Sequence, residues 1–296
     1  MIRIKESTVF LKHGYLEAEI FTIGATVNQI FFRNNPILDA YSSPSELGTG
    51  GYKSAWLFPF PNRIKKGEYL HHNKKYSFPI NDPSGATNAI HGFLCDRKFS
   101  ITQSSDGKDQ VSVELSHDYR GELPYFPFPF TFSVSYLLSV DYLTVKIKIF
   151  NSGSENLPFG VGWHPYFLTS DLSKSKLVFP LSKRIKTDHQ MIPAGETEPF
   201  ETYSKGKDIE KKEFDDCFQV REYDYWVSLQ SEQCRVSFEM NKDWPYFQLY
   251  TPPLRSSIAL EPMSCNINAF NNKQGLRVLE GGKSDSLHFS VRFSEV

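Results

Sequence analysis

The feature that most limits what this chain can fold into is a two-residue alternation of apolar and polar side chains. In "VSVEL", Val111, Val113 and Leu115 share one side of an extended backbone, and Ser112 and Glu114 share the other. "FTFSVSYLLSV" sets Phe130, Phe132, Val134, Tyr136, Leu138 and Val140 against mostly serine and threonine. "LTVKIKIFN" opposes Leu143, Val145, Ile147 and Ile149 to Thr144, Lys146 and Lys148, and "SLHFSVRF" repeats the device with Leu287, Phe289, Val291 and Phe293. Side chains alternate across a strand, so this period with one wet face specifies antiparallel sheet.

Turn residues separate several of these runs: Asn34-Asn35-Pro36, Ser105-Asp106-Gly107, Asn151-Ser152-Gly153 and Gly281-Gly282. Helical pattern is scarce, with room for a short turn of helix in residues 44–57 and again in 269–275. The expectation is an all-β fold, a large antiparallel β-sandwich with few short helices. No internal repeat, low-complexity tract or Pro/Gly/Ser linker divides the chain. The three prolines of "YFPFPFTF" stand among apolar residues, which predicts an ordered corner there. Residues 1–296 therefore read as one domain, long enough to bury a core without disulfides or a structural metal.

Charge excludes several functions. Lysine plus arginine number 33 against 34 aspartate plus glutamate, a formal net charge of −1, which offers no general attraction for nucleic acid or anionic lipid. The start, "MIRIKESTVFLKHGYLEAEIF", has no signal-peptide h-region, and no segment approaches the roughly 20 apolar residues of a membrane span. The expectation is a cytoplasmic protein. The four cysteines, Cys95, Cys217, Cys234 and Cys265, form no C-x-x-C pair. His71 and His72 are adjacent, so on a strand they point to opposite faces and do not share an ion. With no H-x-H or H-E-x-x-H spacing, no metal is expected. Neither a nucleophile elbow, a P-loop nor a dinucleotide fingerprint is present.

Four polar residues stand in unusual settings. Arg63 follows the apolar, proline-rich "WLFPFPN", and His91 lies in "TNAIHGF" before a glycine that lets the backbone pass close to a neighbour. His164 sits in "GWHPYF" between tryptophan and proline, and Glu261 ends the apolar run "RSSIALE" just before Pro262. Proline disfavours helix at the preceding residue, which suits a strand closing on a carboxylate. Singly, each has an ordinary structural explanation. Together they bring two imidazoles, a carboxylate and a guanidinium into aromatic segments far apart in sequence.

"PFPNRI", "NAIHGF", "GWHPYF", "FDDCF" and "ALEPM", in that order, span nearly the whole chain. In them the sequence resembles the aldose 1-epimerases, or galactose mutarotases, and is closest to their divergent bacterial branch. The resemblance implies a galactose mutarotase-like β-supersandwich, no cofactor, and interconversion of the α- and β-anomers of a free monosaccharide such as galactose or glucose. It implies that His164 is the general acid at the ring oxygen and Glu261 the base at the anomeric hydroxyl. Arg63 and His91 would hold sugar oxygens. The sugar-binding aspartate falls on Asp215, with Asp216 as its neighbour. The expected partner is a sugar, with no nucleic acid or membrane, and the expected state a monomer or homodimer.

Mutarotation needs one proton removed from the anomeric hydroxyl while another reaches the ring oxygen. After rotation about C1–C2 the ring recloses on the other face. An acid and a base suffice, each contributing roughly 10²–10⁴-fold. They are expected to flank the pyranose from opposite sides, with Trp163 and Tyr166 walling the site and Trp56, Trp163 or Phe159 covering an apolar sugar face. Three rivals stay open. One is a non-catalytic carbohydrate-binding module. Another is a glycoside hydrolase using Asp215 with Glu261 as paired carboxylates. The last is a hexose-6-phosphate mutarotase with Lys53, Arg97 and Arg255 as a phosphate clamp.

Overall fold

The computed structural model describes residues 1–47 and 51–296. Two large antiparallel sheets dominate it. The first has nine strands, running in space Ser100–Asp106, Val111–Tyr119, Phe130–Leu138, Tyr142–Asn151, Ser284–Ser294, Arg235–Met240, Tyr225–Gln230, Lys176–Val178 and Lys207–Asp208. Each strand read from alternation lies here, and Phe130, Phe132, Val134, Tyr136 and Leu138 are covered while the residues between them are half-exposed; Val140, read with that set, falls past the strand's end and is exposed.

The second sheet has eight strands and carries the site. Its main path is Pro193–Phe200, Ser182–Thr187, Asp215–Val220, Tyr246–Tyr250, Ser257–Met263, Gly162–Trp163 and Trp56–Leu57, and Tyr166–Leu168 also pairs with Ser257–Met263. Its inner face packs on the nine-stranded sheet through Phe238, which meets Phe247 at 5.8 Å and Trp163 at 6.2 Å between ring centroids. A five-stranded sheet from Ile2–Lys5 to Asn35–Pro36 joins the same core, with Phe32 6.2 Å from Phe293. One apolar cluster runs from Val9 to Phe293.

The short elements follow the turn chemistry. Asn151 Oδ1 accepts from the Gly153 amide at 3.0 Å, and the Gly107 amide closes its hairpin on the Gln110 carbonyl at 3.0 Å. Within 44–57 there is a 3-10 turn at Pro44–Glu46 and a strand at Trp56–Leu57, while residues 48–50 of that stretch lie outside the described residues. Ala269–Asn272 forms the short helix expected in 269–275. The proline-rich corner is ordered, with Phe126 and Phe128 in contact at 5.2 Å.

Candidate active site

Register on the eight-stranded sheet brings the site together. Glu261 lies opposite Gln248, Gln248 opposite Cys217, and Asp215 opposite Tyr250. Tyr250 faces Ala259, which faces Tyr166 on the other side. Directly paired residues share a face, so Asp215, Cys217, Gln248, Tyr250, Glu261 and Tyr166 all project from the outer face. His164 sits between the strands Gly162–Trp163 and Tyr166–Leu168, two residues before Tyr166, and projects with them. Its amide donates to the Ala55 carbonyl at 3.1 Å, and its own carbonyl accepts from the Ser54 amide at 2.8 Å. Beyond Glu261 the same face carries a small apolar cluster of Cys217, Tyr246 and Met263 with Ile185, Ile192 and Ile267.

His91 and Arg63 arrive on a neighbouring ribbon in which Asn88–Ile90 pairs with Arg63–Lys65. Asn62 and His91 both adopt left-handed backbone, at φ 57 and 65, followed by Gly92 at φ 68. A side chain at Gly92 would place its Cβ 2.1 Å from the Phe58 carbonyl oxygen, so only glycine fits. The His91 amide donates to the Asn62 carbonyl at 2.9 Å, and the Asn62 amide donates back to His91 Nδ1 at 3.2 Å. Since Nδ1 accepts, the proton of the neutral ring is on Nε2, which leaves Nε2 as a donor towards the site. Burial, then the neighbouring His164 and Arg63, hold this imidazole well below its usual pKa.

The four residues converge. His91 and His164 rings meet edge-on at 5.3 Å, and His164 stacks on Tyr166 at 4.9 Å. His164 Nε2 is 3.5 Å from Glu261 Oε1, too long for a good hydrogen bond. His164 Nδ1 and Glu261 Oε2 are buried with no hydrogen-bond partner. Such atoms are rare in folded proteins and point to a ligand. Burial drives the His164 pKa down to about 3 and the Glu261 carboxyl well above the usual carboxylate range. Burial thus favours the neutral pair, with a proton on the carboxyl, because low polarity costs two charges more than their attraction at this distance returns.

Gln248 ties the two sides of the site. Its amide nitrogen donates to Asp215 Oδ1 at 3.0 Å, and its oxygen accepts from Asn62 Nδ2 at 3.3 Å. Asp215 is open to solvent as a residue, but protein crowds its carboxyl on the site side and raises its pKa against the pull of Arg63. Asp216 points elsewhere, to Arg184 at 3.2 Å and Lys212 at 4.0 Å. Of the two acids, Asp215 is the one bonded to Gln248.

Four expectations change. The acid and base do not flank a ring from opposite sides. At 3.5 Å His164 and Glu261 leave no room for a pyranose between them. Trp56, Trp163 and Phe159 are each 0% exposed and belong to the core. Trp163 stacks on Trp56 at 6.0 Å on the inner face, because it neighbours His164 on an extended chain. The aromatic flank is instead Tyr52, 4.7 Å from His91, with Tyr166 and Tyr250. His71 and His72 do not diverge: His72 turns into left-handed backbone at φ 47, and the two rings stand 4.2 Å apart. Among the described residues no three His, Cys, Asp or Glu side chains gather at metal-binding spacing, and no helix is long and apolar enough to cross a membrane.

The three cations of the phosphate-clamp rival are each engaged with separate partners. Lys53 pairs with Asp39 at 2.7 Å, Arg97 reaches Asp96 and the Phe93 carbonyl, and Arg255 holds the carbonyls of Lys212 and Glu210. Sequence reasoning missed Gln248, Tyr52 and Asp82, the last being the partner of Arg63 at 2.6 Å. Tyr166 was legible as the site wall because it is two residues from His164, hence on the same face.

A family model described as aldose 1-epimerase matches residues 7–292. The chain belongs to the aldose 1-epimerase family. The protein YihR of Escherichia coli K12, described as uncharacterized, is 29% identical over 293 residues, 96% of this chain and 92% of its own. A galactose mutarotase-like protein of Clostridium acetobutylicum superposes with a TM-score of 0.90 at 23% identity, over 100% of this chain and 98% of that one. Galactose 1-epimerase of Lactobacillus acidophilus gives 0.84 at 14% identity, covering 100% and 98%. Those two likenesses show the fold, the galactose mutarotase-like β-sandwich.

Proposed function

We propose that residues 1–296 act as one domain that interconverts the α- and β-anomers of a free aldohexose without a cofactor, as an aldose 1-epimerase. The observation that carries this reading is the buried His164–Glu261 pair, in which His164 Nδ1 and Glu261 Oε2 have no hydrogen-bond partner in the protein. The ring oxygen and the anomeric hydroxyl are bonded to the same carbon, so an acid and a base that address one edge of the sugar reach both.

In ring opening, His164 gives a proton to the ring oxygen and Glu261 takes the proton of the anomeric hydroxyl. The products are an aldehyde, a neutral imidazole and a protonated carboxyl, which is the form burial favours in the resting site. Closure runs directly from that form: Glu261 returns a proton to the carbonyl oxygen as His164 accepts one from the attacking hydroxyl. Opening first needs the proton moved from Glu261 to His164, and a sugar hydroxyl donating to the carboxylate favours that transfer. His91 Nε2 and Arg63 donate to sugar oxygens, and the Asp215 carboxylate, held by Gln248, accepts from a sugar hydroxyl. Tyr52, Tyr166 and Tyr250 border the ring.

A free sugar is favoured over a hexose 6-phosphate because Lys53, Arg97 and Arg255 are already engaged with separate partners. The test is polarimetric relaxation of freshly dissolved α-anomers across aldoses and their 6-phosphates. Wild type is expected to accelerate relaxation of free aldoses, and His164→Asn is expected to lose that acceleration. Sugar binding without acceleration would instead identify a carbohydrate-binding module. Release of reducing sugar from oligosaccharides would identify a hydrolase.

A further inference from the structure

The side chain of Asp82 is 0% exposed, whereas Arg63 beside it keeps 11%. A buried carboxylate is tolerated when it is paired and hydrogen-bonded, and Asp82 is both. Oδ2 accepts from Arg63 Nε at 2.6 Å and faces Asn88 Nδ2 at 3.5 Å. Oδ1 accepts from the Ser84 amide at 3.0 Å and the Ser84 hydroxyl at 2.7 Å, with Arg63 Nη2 at 3.5 Å. The two Ser84 bonds fasten the carboxylate to its own loop. Asp82 is thus a fixed post, and the long arginine side chain is the part that is set by it.

A guanidinium carries five N–H donors in one plane. Asp82 occupies the one on Nε and one on Nη2, and Asn62 Oδ1 faces one on Nη1 at 3.4 Å. One donor then remains on each Nη, at the end of the only part of this pair that is exposed. Two further acids, Asp215 and Glu261, lie within the field of Arg63, and Asp215 is linked to it by side chains: Asn62 Oδ1 faces Arg63 Nη1, Asn62 Nδ2 donates to Gln248 Oε1, and Gln248 Nε2 donates to Asp215 Oδ1. An arginine released from Asp82 is free to turn to Asp215, which would tie two sugar-binding groups to each other.

We infer that Asp82 is a positioning residue that holds Arg63 away from Asp215, so that its two remaining donors meet oxygens on neighbouring carbons of the sugar. This rests on the mutarotase reading and adds a requirement to the substrate: an adjacent pair of hydroxyls.

The experiment compares kcat and KM for anomer equilibration of glucose and galactose with their 2-, 3- and 4-deoxy analogues. The proteins are wild type, Asp82→Asn, Asp82→Glu and Ser84→Ala. A charge-assisted hydrogen bond is worth enough for about a tenfold or greater change. Asp82→Asn is expected to raise KM by that factor for the full sugars. Its effect on at least one deoxy analogue should be much smaller, so the preference for the full sugar narrows. Asp82→Glu should recover part of the loss. Ser84→Ala leaves the Arg63 pair intact but loosens the post, and should move KM in the same direction by less; it carries the test if Asp82→Asn does not fold. Unchanged KM and unchanged discrimination in Asp82→Asn and Ser84→Ala, beside an active wild type, overturn the inference alone. So does an equal loss for every sugar confined to kcat. A wild type inactive on every sugar overturns the mutarotase reading, and this one with it.

Discussion

At the strand Ser257–Met263, the two faces of the eight-stranded sheet are buried alike and built to opposite ends. Along Ser257–Met263 every residue is covered. Ile258 and Leu260 turn inward and join Phe247, Leu249 and Phe218 in the core, where rings touch rings. Glu261, one position on, turns outward beside Gln248 and His164. The inner face contains side chains that lose nothing by leaving water. The outer face contains a carboxyl oxygen and an imidazole nitrogen that leave water and gain no partner. Each such atom costs about 1–3 kcal/mol, so the outer face gives up stability to keep these two groups unpaired. Burial by itself therefore says nothing about which face folds the chain and which serves a ligand; the pairing of polar atoms does.

The sharpest way to break this contrast is Glu261→Gln. The mutarotation rate should fall by roughly 10²–10⁴-fold, while the urea midpoint stays at or above that of wild type. A variant that keeps its rate, or loses stability heavily, would place Glu261 with the structural residues. The converse is Phe247→Ala on the inner face, expected to cost about 3–5 kcal/mol by chemical denaturation. The protein that remains folded should keep its KM.

Acidity offers a finer probe, since the two groups shift in opposite directions. The folded-state pKa of Glu261 is raised from 4.5, so the native state retains a proton that the unfolded chain releases. Its contribution to stability is whole below pH 4.5 and drains away as pH rises towards the folded value. His164 is lowered from 6.5 to about 3, so its contribution is whole above pH 6.5 and drains away as pH falls towards 3. Unfolding free energies measured against pH should lose the first slope in Glu261→Gln and the second in His164→Asn. Slopes equal to wild type would mean that neither group is buried neutral.

The smallest expected effect separates two adjacent acids. Asp215→Asn should raise KM about tenfold through its lost charge-assisted bonds. Asp216→Asn, which only weakens contacts to Arg184 and Lys212, should leave KM within experimental error. If Asp216→Asn moved KM as far as Asp215→Asn, the face-by-face division would fail at this end of the strand.

Much of the fold was legible because alternation is a local property, and the nine-stranded sheet repeats it strand after strand. His91, His164, Glu261 and Arg63 were legible as polar residues in apolar, turn-forming surroundings, joined by a family resemblance. Trp163 was misread although the same alternation places a neighbour of His164 on the opposite face. Gln248 was hidden for a different reason. Only the pairing of Asp215–Val220, Tyr246–Tyr250 and Ser257–Met263 puts it between two carboxyl groups, and register between distant strands is not written in any one of them. Asp82 lies in a turn-rich loop where an aspartate usually faces water, and the fold alone gives it an arginine.

The strand Ser284–Ser294 lies between Tyr142–Asn151 and Arg235–Met240, in the interior of its sheet rather than at an edge. A growing polypeptide that has already delivered every site residue still lacks the piece that joins the halves of that sheet. On the mutarotase reading, activity should consequently appear only once this segment has emerged, and a nascent chain halted before it should hold His164 and Glu261 without a working centre.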